Sequence, residues 1–282
     1  MSRLPHTLAL ITGGSSGIGL AVARLLAKEG CRLILCARGL PALEAAQKSL
    51  IQDTGCSPDS VSIRSLDVSD PGNIKQGIEE IAASAGVPDL VIHSAGIGMG
   101  DYFDRISPEA FDRVMRTNVY GTWHLVQALL PLMEGHGGGR IVLLSSAAGL
   151  MGMYGYSAYG CSKFAVMGLA DCLPGELKPR GIAVTVVCPP EVDTPLIHEE
   201  EKTLPPEARA VKNLPGRLSP ENAARAILRG IKKKRFLVIP GFLARGSYLF
   251  HRYSNGFLSR WISDMAIRRV QRKKFRTTPG KQ

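Results

Sequence analysis

Short apolar runs recur along the chain at 7–12, 32–37, 61–67, 90–93, 140–145, 182–188 and 236–239, each closed by a turn-forming stretch. Runs of this length without alternation are the pattern of strands buried in a sheet. Between them lie stretches whose apolar residues return every three or four positions, at 17–29, 40–54, 71–86, 107–134, 158–178 and 219–233. These predict helices. Ser219-Pro220-Glu221 supplies a cap, a first-turn proline and an acid at the last of them. Strand and helix therefore alternate, which implies an α/β fold: a parallel sheet with helices on both faces. The 282 residues suffice for one such domain over 1–240, with an appendage over 241–282.

Two turns after strands carry candidate chemistry. Residues 8–12 run straight into Gly13-Gly14-Ser15-Ser16-Gly17-Ile18-Gly19 and then into a helical pattern. Gly13, Gly17 and Gly19 leave a backbone able to turn tightly and approach a pyrophosphate, and the helix start aims its amides at that anion. The reading is of a doubly wound, Rossmann-type sheet with a dinucleotide at its edge. The strand 32–37 ends on Arg38, where an acid would hold the ribose hydroxyls of NAD. An arginine suits a 2′-phosphate instead, so NADP(H) is the expected cofactor. The alternative is a surface arginine that only ends a strand.

The strand 140–145 leads to Ser146, with Tyr159 thirteen residues on and Lys163 four after that. A four-residue step stacks a phenol and an ammonium on one helix face. A fixed cation beside a phenol favours the phenolate, so the lysine is expected to lower the tyrosine pKa. Such a tyrosine exchanges a proton with a ketone or alcohol oxygen that Ser146 also hydrogen-bonds. Alone, the Tyr-x-x-x-Lys pair reads equally as a half-buried aromatic beside a solvated lysine. The cofactor turn upstream favours the active site.

With these motifs in order, the chain resembles the classical short-chain dehydrogenase/reductase family over roughly residues 7–240. The resemblance implies a catalytic set of Ser146, Tyr159, Lys163 and Asn118, and a cofactor turn that includes Gly13, Ser15, Ser16, Gly17, Ile18 and Gly19. It further implies that Asp67 and Val68 meet the adenine, that Ala95 and Gly96 approach the cofactor, and that Val192 and Thr194 meet the carboxamide. Tyr159 and Lys163 would also touch the cofactor. His93-Ser94 stands where the family usually has two asparagines, Pro190 where it has glycine, and Ala42 where similar enzymes carry a lysine. Pro189-Pro190-Glu191-Val192-Asp193-Thr194-Pro195 and Gly149-Leu-Met-Gly-Met-Tyr-Gly-Tyr156 most resemble the 3-ketodihydrosphingosine (3-dehydrosphinganine) reductases. That implies reduction, by NADPH, of the 3-keto group of a long-chain amino alcohol. Another lipid ketone (3-ketoacyl, steroid or retinoid) would use the same residues, and a cofactor-binding scaffold without catalysis is the reading outside enzymes. Residues 196–215 are expected to form a substrate lid.

The net charge of +11 is concentrated in residues 231–282, which carry +13 and leave the remainder at −2. Within 248–265, Phe250, Phe257, Leu258, Trp261, Ile262 and Met265 share one predicted helical face, and Arg252, Ser259, Arg260 and Ser263 the other. A basic amphipathic segment of this kind is expected to lie on an anionic membrane surface. Packing of its aromatic face against the domain or a partner subunit competes with that. Nucleic acid is not expected, since no base-reading motif accompanies the basic run 268–276. Nothing approaches the ~20 apolar residues of a spanning helix. Little chain precedes the first strand, so no signal peptide or N-terminal anchor is expected, and a cytoplasmic protein at the cytosolic face of a membrane is. Six cysteines show no metal or disulfide spacing and read as core thiols, Cys161 among them. No metal site is expected. Pairing through the helices at 107–134 and 158–178, as a homodimer or homotetramer, is what the resemblance implies.

Overall fold

The computed structural model describes residues 7–212 and 216–277, with side chains as far as Arg272. Seven parallel strands form the central sheet: β1 (Leu8–Thr12), β2 (Arg32–Ala37), β3 (Val61–Ser65), β4 (Leu90–His93), β5 (Gly139–Leu144), β6 (Ile182–Val187) and β9 (Leu237–Val238). Their order is β3-β2-β1-β4-β5-β6-β9. β1 therefore sits between β2 and β4, and the chain runs outward from it in both directions. Such a reversal opens a crevice at the carboxyl ends of the two diverging strands, where the loops part to opposite faces. Thr12 and His93 are in register at that edge.

The predicted helices form with small shifts in their ends: α1 (Gly17–Lys28), α2 (Leu40–Thr54), α3 (Pro71–Ala85), α6 (Ser157–Leu177) and α9 (Pro220–Lys232). Local chemistry sets several starts. The Asp70 carboxylate accepts from the Gly72 and Asn73 amides ahead of α3, and Ser219 accepts from Asn222 ahead of α9. The predicted helix at 107–134 is instead broken in two, α4 (Pro108–Met115) and α5 (Gly121–Gly135), by a wider π turn over Arg116–Tyr120. Insertions of this type gather at functional positions, and this one carries Asn118. Two apolar cores result, one on each face of the sheet. Leu10, Ile34, Val91 and Ile141 point to one; Ile11, Leu33, Ile92 and Val142 to the other. Successive residues of a strand thus serve opposite cores, which explains why the strands read as unbroken apolar runs.

Over the crevice lies a smaller layer that the sequence pattern did not resolve. β7 (Glu191–Val192) pairs with β8 (Arg217–Leu218), and α7 (Pro195–Glu200) and α8 (Pro206–Lys212) lie between them in sequence. Of the expected lid, 213–215 lies outside the described residues. A buried ion cluster ties this layer together. Lys212, with its side chain 5 % exposed, lies 3.2 Å from Glu191 and 3.4 Å from Glu200, both still less exposed. Arg217 reaches Glu191 from the solvent side at 3.3 Å.

The chain ends in a helical hairpin, α10 (Phe242–Tyr253) and α11 (Phe257–Thr277). The expected single amphipathic helix through 248–265 is interrupted because Asn255 and Gly256 take left-handed backbone, at φ 50° and 76°. α11 packs on α8, turning Ser259, Ser263 and Ile267 inward. Phe257 and Trp261 remain 72 % and 55 % exposed, and Arg252 and Arg260 share that outer surface. The arginines thus lie among the aromatics, not opposite them. The thiols also divide differently from expectation. Cys31, Cys36 and Cys188 are buried, but Cys161 and Cys172 are exposed. They fall on the outward face of α6 with Phe164, while Ser162, Lys163 and Val166 face inward.

Lys212→Met leaves two buried carboxylates without their shared cation, and an uncompensated buried charge costs about 3–5 kcal/mol. Denaturant unfolding should show that loss, and Lys212→Met combined with Glu200→Gln should recover part of it. A loss below about 1 kcal/mol would mean that the carboxylates are already neutral or solvated.

Candidate active site

The turn after β1 is fixed by contacts that exclude side chains. Gly13 has φ +66°, and a Cβ there would sit 2.8 Å from the Ala95 amide nitrogen. A Cβ on Gly19 would overlap the Gly13 carbonyl. These two glycines let the β1 turn, the start of α1 and the β4 turn meet without side chains between them. Thr12 joins the same turns: its Oγ1 accepts from the Ala95 amide at 3.3 Å and lies 2.7 Å from His93 Nδ1. Burial, with the charge of Lys163 as the smaller cause, pushes the His93 imidazole down to about 3, so it is neutral. His93 is thus an uncharged hydrogen-bonding partner of Thr12.

A cavity of about 1040 Å³ opens from this junction. Its floor is formed by Gly13, Ser16, Gly17, Ile18, Ala95 and Gly96. Ser146, Tyr159, Lys163, Val192 and Thr194 also line it. Thr194 closes on the glycine turn, 3.0 Å from where a Cβ of Gly17 would be. Ser15, Gly19, Arg38, Asp67, Val68 and Asn118 are not part of the lining. Asn118 stands directly behind it: its Nδ2 donates to Ile97 O and Ser162 Oγ at 3.0 and 2.9 Å, and its Oδ1 accepts from the Ile97 amide. A Cβ on Gly96 would lie 3.0 Å from that Oδ1 and 3.5 Å from Lys163 Nζ. Arg38 is exposed at the end of β2, and Asp67 is half-buried after β3, where its Oδ1 accepts from the Ser69 amide and hydroxyl.

Ser146 ends β5 and is held by the Ala148 amide donating to its Oγ at 3.2 Å. Lys163 is buried on α6, donates to Leu144 O at 3.0 Å, and lies 5.6 Å from the Tyr159 ring centre. Desolvation lowers its pKa to about 8. Tyr159 departs from the expectation that Lys163 would lower its pKa. Burial raises the phenol above its ordinary value, the nearby Glu200 carboxylate raises it further, and a hydrogen bond with Ser146 is the counterweight. Lys163 is not among the groups that shift the phenol, and its ammonium donates to the Leu144 carbonyl.

The cavity also has a polar end that sequence reading missed. Glu200, on α7, accepts hydrogen bonds at Oε1 from the Tyr156 hydroxyl and from Lys212 Nζ. Tyr156 stacks edge-on to Tyr159 with ring centres 6.1 Å apart. The signal available was the buried tyrosine three residues before Tyr159 and a run of acids after Pro195, neither distinctive alone. α10 and α11 supply the outer wall through Phe250, His251, Ser259, Arg260 and Ile267, so the basic extension borders the same cavity. Among the described residues no cluster could hold a metal ion.

A model of the short chain dehydrogenase family matches residues 7–205. Mouse 3-ketodihydrosphingosine reductase is 35 % identical over 227 residues, 80 % of this chain and 68 % of the relative. D-beta-hydroxybutyrate dehydrogenase of Rhizobium meliloti (strain 1021) is 30 % identical, over 86 % of this chain and 90 % of its own. Among solved structures, a short chain dehydrogenase/reductase from Burkholderia phymatum in complex with NAD superposes with a TM-score of 0.75 at 25 % identity, covering 85 % and 90 % of the two chains. L-sorbose reductase from Gluconobacter frateurii, complexed with NADPH and L-sorbose, gives 0.74 at 26 % identity, covering 86 % and 99 %. The glycine turn has the close backbone approaches that a pyrophosphate cradle requires, and the cavity extends from it past Ser146, Tyr159 and Lys163. The chain belongs to the short-chain dehydrogenase/reductase family, as an oxidoreductase that works with a nicotinamide dinucleotide.

Proposed function

We propose that this oxidoreductase reduces the 3-keto group of 3-dehydrosphinganine to sphinganine, with NADPH as the preferred cofactor. One observation carries the reading: the Ser146–Tyr159–Lys163 wall opens into a cavity large enough for a long-chain ligand, in a chain similar to 3-ketodihydrosphingosine reductases. Gly13, Gly17 and the amides at the start of α1 hold the pyrophosphate, Val192 and Thr194 the carboxamide, and Asp67 and Val68 the adenine. Arg38, exposed and outside any ion pair among the described residues, takes the 2′-phosphate. The nicotinamide, when bound, supplies the hydride.

The chain's own residues manage the oxygen. Ser146 donates to the carbonyl oxygen and fixes it against the phenol. Tyr159 enters protonated, because burial and Glu200 oppose its ionisation, so it acts as a donor. That is the role that reduction needs. Lys163, charged below about pH 8, binds the ribose hydroxyls and offsets the alkoxide charge as the proton leaves Tyr159. Asn118, which shapes the backbone behind Lys163, orders the route by which the proton is replaced.

Exposed aromatics and arginines at the cavity's outer wall support delivery of the ketone from an anionic membrane surface. Phe257 and Trp261 point away from the domain, and no helix among the described residues is long and apolar enough to cross a membrane. A surface-lying hairpin with aromatics and cations on one side fits the interface. Helices α7 and α8 form the lid between that entrance and Tyr159.

NADPH oxidation should be fast with 3-ketodihydrosphingosine and at least tenfold slower with a 3-ketoacyl thioester or a steroid ketone. NADH should serve at least tenfold worse than NADPH, about 1.4 kcal/mol for the phosphate contact. Equal rates with the three ketones overturn the substrate, and equal rates with the two cofactors overturn the role of Arg38. Reductive kcat/KM should fall as pH rises through about 8, as Lys163 loses its charge while Tyr159 stays protonated. A profile flat to pH 10 would remove the lysine charge from the mechanism. Vesicles containing anionic lipid should co-sediment the full chain more strongly than zwitterionic ones. The double substitution Phe257→Ser with Trp261→Ser should weaken this at least fivefold, or about 1 kcal/mol, and unchanged binding removes the hairpin from the account.

A further inference from the structure

Glu200 is a buried carboxylate bordering the reaction cavity, with its protein partners gathered on one of its two oxygens. Its side chain is 2 % exposed and still borders the cavity. Both of its hydrogen bonds, from Tyr156 and Lys212, fall on Oε1; among the described residues none falls on Oε2. Among the described residues the cation paired with Glu200 is Lys212, which is shared with Glu191 and, at 3.7 Å, with Glu201; Glu191 also has Arg217. Glu201 and Asp193, at the solvent edge, draw on the same Arg217. Two buried carboxylates thus share one buried ammonium, which hydrogen-bonds Glu200 at Oε1 alone and leaves Oε2 open. Space is kept for its second oxygen, since a Cβ on Gly98 would sit 2.5 Å from Oε2. Arrangements of this kind are costly unless a further cation arrives.

We propose that Glu200 is the receptor for an ammonium group carried by the substrate beside its reacting ketone. This rests on the reading of the substrate as a long-chain amino ketone. In a 2-amino-3-ketone the nitrogen and the carbonyl oxygen sit on adjacent carbons, so their receptors must be neighbours, each about 3 Å from its own atom. Tyr159 and Glu200 are neighbours through Tyr156, which is bonded to Glu200 and stacked on Tyr159, and the carboxylate acts electrostatically on the phenol. With the ammonium on Glu200, the carbonyl oxygen is placed towards Ser146 and Tyr159 and the alkyl chain towards Leu150, Phe250 and Ile267. Glu200 is therefore a specificity and positioning residue. Lys212 and Tyr156 hold it in place.

The test compares kcat/KM for 3-ketodihydrosphingosine with that for the matched 1-hydroxy-3-ketone lacking the amine, and for the N-acetyl derivative. The native chain should prefer the free amine by about 30-fold or more over both, the loss expected when one member of a buried charge pair goes unpaired. In Glu200→Gln the ratio should shrink to about threefold, chiefly through KM. A merely structural role of Glu200 would lower all three substrates together and leave the ratio standing, which overturns the proposal. Indifference of the native chain to the amine overturns it as well, even where the Gln variant fails to fold. No turnover of either long-chain ketone, with a 3-ketoacyl thioester still reduced, overturns the substrate reading and this inference together.

Discussion

The site depends on the contact between two backbone turns, Gly13 after β1 and Ala95 after β4, where the strand order reverses. A Cβ at position 13 would meet the Ala95 amide nitrogen at 2.8 Å, and one at position 19 would strike the Gly13 carbonyl. The approach sets how deep the crevice runs between the two halves of the sheet. It also sets where α1 starts, and hence where its amides point. Thr12, bonded to both the Ala95 amide and His93, locks the two turns in register. The imidazole that does this is buried and neutral. The pocket is thus made by a steric requirement of the backbone, with side chains added to it.

Burial then decides how those side chains behave. Lys163 lies in the sheet's shadow, where desolvation lowers its pKa to about 8, and the same dry surroundings raise Tyr159. Position along a helix face is therefore a poor guide to the electrostatics. The four-residue spacing correctly places phenol and ammonium together. Their pKa values are set first by burial, and that of Tyr159 next by a carboxylate on α7, distant in sequence. Burial is the first cause that keeps the Tyr159 phenol protonated, and Glu200 in the layer above adds to it.

Most of the sheet was legible because its strands are buried on both faces and read as short apolar runs; the seven predicted strands match the seven observed within two residues at nearly every end. The glycine turn and the Ser146–Tyr159–Lys163 spacing were legible because both are local. What escaped was set by long-range packing. The π turn around Asn118 has no sequence period of its own. The break at Asn255–Gly256 looked helical because its flanks are. Cys161 and Cys172 fell on the outward face of a helix that is buried on its other side, and intrinsic apolarity does not say which face a thiol takes. Glu191, Glu200 and Lys212 read as ordinary surface charges until the fold brings 191, 200 and 212 to one point.

That cluster also says something about how the molecule divides its tasks. Replacing buried ion pairs by apolar residues is often neutral or stabilising, so charges kept inside a lid are weak evidence for stability. Here they line the same cavity as Tyr159, and the sheet beneath has apolar cores on both faces that hold the fold without them. The lid can therefore carry an electrostatic imbalance that the central sheet would not tolerate, because its helices are short and border solvent and cavity alike. Real proteins break the rules of good packing at functional sites and compensate elsewhere. In this chain the breach and its compensation lie on opposite sides of one crevice. The glycine floor fixes the backbone approach that a dinucleotide needs, and the charged roof lies across the same cavity from it.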